Sequence, residues 1–202
     1  MQNTPTVKNN NSTFPRMLIG LLVALLGNAI PLIYEILLRI GYAIFGYHNP
    51  IPGGIGRYAD LATCVCLGVF FVLLFLSQKE PRLKRAGVAG IVACAACLIG
   101  YLIPEKNLFD RVYPLGLFLF YCLLFKMPGL QRLADDMKIA YIAGIAGALI
   151  AFLYRWPLMG HIGLGSMTWI VYVIALAGTF CFFALLLWRQ LNSIDEDISK
   201  II

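Results

Sequence analysis

The stretch "PLIYEILLRIGYAIF" carries one acid and one base, Glu35 and Arg39, in an otherwise apolar run. In a helix this four-residue spacing puts both on one face with the acid first, the favourable order for an ion pair. An unpaired charge at mid-membrane costs about 2.5 to 3.5 kcal/mol on insertion scales, so such residues are usually paired and often functional. Depth decides how far this carries. With the helix entering a bilayer near Met17, Glu35 lies about 27 Å along it, near the far boundary, where the cost falls. An interfacial ion pair is the plain reading, and a polar binding site is the sharper one. Pro31, one turn earlier, can tilt this face inward.

Arg57, Asp60, Arg155 and both histidines, His48 and His161, are expected near the same boundary. From these the candidate solute-binding set is Glu35, Arg39, Arg57, Asp60, Arg155 and His161, a mixture of carboxylates and donors suited to a small polar solute. The histidines have no partners at ligand spacing and no HExxH signature exists, so no metal site is assigned. A G-x-S-x-G elbow, a phosphate-binding loop and a dinucleotide glycine pattern are all missing, so no catalytic residue or cofactor is assigned and an enzyme is the less favoured reading. The glycines of "GGIG" precede an apolar helix, whose N-terminus could hold an anion, but a chain reversal explains them as well. Cys64, Cys66, Cys94, Cys97, Cys122 and Cys181 all fall in apolar segments, where a thiol packs as a small apolar group. The "CAAC" at 94–97 copies a redox spacing, but about 12 to 16 Å into a helix rather than at an exposed helix N-terminus.

The elements that must position these residues follow from composition. Of 202 residues, 60% are hydrophobic and 13% charged, which excludes an ordinary soluble domain. Apolar windows at 17–45, 60–77, 86–103, 112–126, 138–156 and 166–188 predict an all-α integral membrane protein with six transmembrane helices. The fourth is short. Only Val112 to Phe125 separates Arg111 from Lys126, about 21 Å if helical, so it spans with snorkelling basic ends or re-enters.

With six spans, one side of the membrane receives Lys8, Arg16, Lys79, Arg82, Lys84, Arg85, Lys126, Arg132, Lys138, Arg189 and Lys200, most of the sixteen basic residues. The positive-inside rule then puts both termini in the cytoplasm of a multi-pass cell inner membrane protein. The net charge of +6 is thus a topology signal, and nucleic acid is not an expected partner. Residues 1–16 read as a disordered polar tail. Met17 to Leu26 followed by Gly27-Asn28-Ala29 copies a cleavable signal peptide, but the apolar run continues and Pro31 follows closely. Residues 190–202 read as a short amphipathic cytoplasmic tail, with Leu191, Ile194, Ile198 and Ile201 on one face.

"YHNPIPGGIG" at 47–56 and "YRWPLMGHIG" at 154–163 share one frame of Tyr, Pro, Gly, Ile and Gly, and "YLIP" at 101–104 repeats its start. A period of about 53 residues fits three tandem helical hairpins. Interfacial preferences of Tyr, Pro and Gly give the same exits without any repeat. Helix 3 carries a small-residue stripe, Ala86, Gly90 and Cys94 with Ala89, Ala93 and Cys97; helix 5 carries another, Ala140, Gly144 and Ala148 with Gly147 and Ala151. Gly90, Ala140, Gly144, Gly147 and Ala148 are the candidate helix-packing residues, which puts helices 3 and 5 at the bundle centre. Helices 4 and 6, rich in Phe and Leu, are then expected to face lipid.

In size, six spans and a cytoplasmic C-terminus, the chain is similar to the small substrate-binding subunits of energy-coupling-factor vitamin transporters, although their helix 1 small-residue motif has no counterpart here. The leading expectation is a membrane protein that binds or transports a small solute through an outward-facing polar pocket. The alternative is an accessory or immunity-type protein that packs against a membrane partner or another copy of itself. A membrane enzyme acting on lipid-linked substrates ranks third. The lipid bilayer is a partner in every case.

Overall fold

The computed structural model describes residues 13–46, 55–102, 109–124, 135–154 and 168–192. Six α-helices account for nearly all of them: α1 Thr13–Phe45, α2 Ile55–Ser77, α3 Pro81–Leu102, α4 Phe109–Leu124, α5 Asp135–Tyr154 and α6 Thr168–Asn192. No strand occurs among the described residues. Helix ends lie within five residues of the apolar windows. The helices often start earlier because the backbone stays helical through polar ends such as "PRLKR" of α3. The disordered tail expected over 1–16 overlaps α1, which already begins at Thr13.

Local chemistry sets several of these ends. Gly46 has φ of +59°, a left-handed conformation that an L side chain adopts only at a cost, and it closes α1 after Phe45. Pro81 opens α3, where its missing N–H is no loss, and the Lys84 N–H donates to the Glu80 carbonyl at 3.1 Å. Pro31 and Pro114 lie inside α1 and α4, and each helix continues through its proline as one element.

Pro15–Phe45, Tyr58–Ser77 and Pro81–Tyr101 are long and apolar enough to cross a membrane, and Val112–Leu124 and Tyr141–Ile150 are shorter apolar stretches. The perimeter is apolar as well: Ile19, Leu26, Leu76, Ile139 and Ile142 are all more than half exposed. A surface of this kind belongs in lipid, so the chain is a helical membrane protein.

The helices form a closed ring in chain order, each packing on the next, with α6 returning to α1. Contacts fix an antiparallel register for the first three. Along α1 and α2, Gly20 meets Phe70 and Leu73, Gly27 meets Cys66, and Tyr34 meets Gly56. Along α2 and α3, Phe75 meets Gly87, Phe71 meets Gly90, and Gly68 meets Cys94. Below, "lower" denotes the end with Thr13 and Asn192, and "upper" the end where α1 finishes at Phe45.

Six aromatic rings fill the centre of the lower half. Phe70 and Phe71 of α2, Phe120 and Tyr121 of α4, and Phe182 and Phe183 of α6 are each at most 1% exposed. They form a closed cycle with successive centroids 4.8 to 5.5 Å apart. The rings meet at steep angles, the edge-to-face geometry worth about 0.5 to 1.5 kcal/mol per pair beyond contact area. Tyr141 of α5 adds a hydrogen bond, its hydroxyl donating to the Tyr121 carbonyl at 2.9 Å.

This arrangement corrects the expectation that the bulky helices 4 and 6 face lipid. Phe120, Tyr121 and Leu124, like Phe182, Phe183 and Leu186, are in the core. Lipid tails are as apolar as Leu, so helices associate through close contact rather than through the hydrophobic effect, and a large ring goes where a missing side chain leaves a slot. Gly90 of α3 provides the slot for the Phe71 ring, and Gly144 of α5 the slot for Tyr121, where an added Cβ would lie 2.8 Å from the ring. The small-residue stripes of α3 and α5 therefore surround the centre and the aromatic doublets occupy it. Gly147 and Ala148 are buried on the same helix. Ala140 lies within α5, with its side chain outside the described residues.

Candidate functional site

Above Leu67 the character of the core changes. The buried residues there are Asn28, Ala59, Thr63, Cys64, Ala93, Cys94, Ala96 and Ala148, together with glycines and with Pro31 and Pro114. Among the described residues, none of the large apolar types is fully buried in this upper half.

Two polar side chains stand at the base of this region, and the sequence reading passed over both. Thr63 is 8% exposed, and its hydroxyl lies 2.8 Å from the Gly27 carbonyl of the neighbouring helix and 2.9 Å from its own Ala59 carbonyl. Gly27 permits this approach, because a Cβ there would lie 2.5 Å from that of Cys66. Asn28 is 2% exposed, and its amide donates to the Ala24 carbonyl at 2.7 Å. A polar group at this depth in an apolar segment needs an internal partner, and that cost was the signal available in the sequence. In the sequence Asn28 stands out only as the middle of the Gly27-Asn28-Ala29 cleavage pattern.

At the upper end, Glu35 and Arg39 stand on one face of α1, with Arg39 Nε 3.9 Å from Glu35 Oε2. Glu35 is the more sheltered, its side chain 18% exposed against 41% for Arg39. Because Tyr34 packs on Gly56, Glu35 lies level with the first turn of α2, which contains Arg57. Asp60, half-buried, is one turn deeper on α2. The side chain of Arg57, and all of Arg155, His161 and His48, lie outside the described residues, as does nearly all of the repeated "YHNPIPGGIG" and "YRWPLMGHIG" frame. The structure thus brings Glu35 and Arg39 together and sets them beside the start of α2.

The cysteines depart from the sequence reading. Cys64 of α2 and Cys97 of α3 are joined as a disulfide, with Cα atoms 6.7 Å apart, whereas all six had been expected to pack as thiols. Antiparallel register of the two helices carries Cys97 to the height of Cys64, which spacing along one helix could not reveal. Cys66, Cys94, Cys122 and Cys181 remain free. Among the described residues, no group of three or more His, Cys, Asp or Glu is placed to hold a metal ion.

This geometry offers a sheltered carboxylate beside a guanidinium at the rim, and buried amide and hydroxyl groups below it. Such a set can orient a small solute by charge and hydrogen bonds. No protein family, curated protein or solved structure matches the chain.

Proposed function

We propose that the chain is a six-span protein of the cell inner membrane that binds or transports a small polar solute through the upper half of its bundle, with both termini in the cytoplasm. The observation that carries this reading is the division of the core by side-chain size among the described residues: large aromatic rings are buried below Leu67, and above it only small side chains are, with Asn28 and Thr63 as polar groups among them, while Ser77, Gln78 and Gln190 are buried at the lower end. Basic residues support the orientation: Arg16, Lys79, Arg82, Lys84, Arg85 and Arg189 are all at the lower end. In this reading Glu35 and Arg39 form the rim of the site, with Arg57, Asp60, Arg155 and His161 as further contributors, and Asn28 and Thr63 lie at its floor.

The aromatic cycle then acts as the closed side, and a transported solute would pass only after the rings part. Three tandem hairpins, α1–α2, α3–α4 and α5–α6, remain the proposed plan of the bundle, each with an aromatic doublet in its second helix, although the doublets, 50 and 62 residues apart, do not keep the period of the exit turns. The alternative, packing against a membrane partner, would need a surface other than Gly90 and Gly144, which neighbours within the chain already occupy.

Native mass spectrometry of protein extracted in mild detergent tests the reading. Wild type should carry a small molecule, and Glu35→Ala and Arg39→Ala should lose it while keeping wild-type yield and melting temperature. A wild type without solute but with a stoichiometric membrane protein would favour the alternative, and rim variants that retain the solute would remove the rim from the site.

A further inference from the structure

We infer that Cys64 and Cys97 form a redox-addressable clasp that ties the upper half of α2 to α3. The seam between these helices is held in two different ways. Lower down, shape holds it: the Phe71 ring fills the place of a side chain at Gly90, and a Cβ at Gly87 would lie 3.2 Å from both the Phe71 carbonyl oxygen and Phe75 Cβ. Higher up, the facing residues are small, and a Cβ added at Gly68 would find only Cys94 Cβ at 3.6 Å, an ordinary contact. One turn above that contact the disulfide takes over, with Cα atoms 6.7 Å apart, inside the range that a disulfide bridges. The bond supplies at this level the attachment that the aromatic rings supply below.

Forming the clasp removes two protons and two electrons from the two thiols. The acceptor is a disulfide of the outer compartment, which is reduced to two thiols as the Cys64–Cys97 bond forms. Disulfides form and persist on oxidising sides of membranes, so the clasp assigns the upper end to that side. This is the orientation the basic lower end gives, reached from different residues. Cys64 is buried and Cys97 half-buried at this level of the seam.

The test counts thiols. Protein purified without reductant, unfolded in detergent and treated with a polyethylene glycol maleimide should take four labels, at Cys66, Cys94, Cys122 and Cys181. After reduction it should take six. Cys64→Ser and Cys97→Ser should each expose one thiol more than wild type without any reductant. Six labels before reduction, or single variants with the wild-type count, would overturn the pairing. In a second measurement, reductant should lower the melting temperature of the native protein by about 5 to 10 °C and leave the Cys64→Ala/Cys97→Ala double variant unmoved. Equal melting of wild type with and without reductant would overturn the clasp. Neither readout depends on a bound solute, so the clasp and the solute-binding reading fail separately.

Discussion

The lower and upper halves of this bundle are built by opposite rules. Below Leu67, six aromatic rings from α2, α4 and α6 close a cycle and take the space that glycines on α3 and α5 leave open. Above it, the same six helices enclose alanine, threonine, cysteine and asparagine, and one interhelical tie is a hydroxyl on a carbonyl. The difference teaches how close fit is reached in two ways. A membrane helix pair gains little from hiding apolar surface, so helices are held by contact: below, rings sit in glycine slots, and above, the helices themselves approach, as where Gly27 meets Cys66 and Gly116 meets Ala93.

Substitutions can break this contrast in order of expected effect. The largest is Gly144→Leu: a side chain at this position meets the Tyr121 ring, so no folded protein should survive extraction, judged by size-exclusion chromatography in mild detergent. Next is Phe71→Ala, which opens the aromatic cycle and should cost about 3 to 5 kcal/mol, measured by reversible unfolding in mixed detergent micelles. Loss of a neighbouring ring shows whether the six act as one unit, since a cooperative cycle makes Phe71→Ala and Phe120→Ala together cost less than their separate effects. The smallest is Thr63→Val, which removes one interhelical hydrogen bond and should cost about 0.6 to 1.7 kcal/mol by the same assay. A Thr63→Val loss as large as that of Phe71→Ala would show that one hydrogen bond above holds as much as one ring below.

Much of the helical plan was legible in the sequence because apolar length and helix-ending residues are local signals. Gly90 and Gly144 stand out in the sequence for the same reason, since small residues at helical spacing mark a close approach, and the Phe71 and Tyr121 rings lie against them. What they approach was not legible. The doublets at 70–71, 120–121 and 182–183 look like lipid-facing bulk when each helix is taken alone, and only the ring closure of α6 on α1 turns them to a common centre. Cys64 and Cys97 were missed for a related reason, because their pairing depends on the register of two antiparallel helices and not on the "CAAC" spacing within one. The ion pair of Glu35 and Arg39 was legible because an i, i+4 pair is itself local. Thr63 was missed because its hydrogen bond to Gly27 crosses helices.

If a solute binds as proposed, the upper half of the bundle is open to it and the lower half is closed. Thiol modification in native membranes tests it most directly, with Ala59→Cys and Leu74→Cys each compared with wild type after treatment from the upper side with a small charged methanethiosulfonate. One additional modified thiol is expected in Ala59→Cys and none in Leu74→Cys. Two unreactive positions, or modification of Leu74→Cys at the rate of Ala59→Cys, would contradict it.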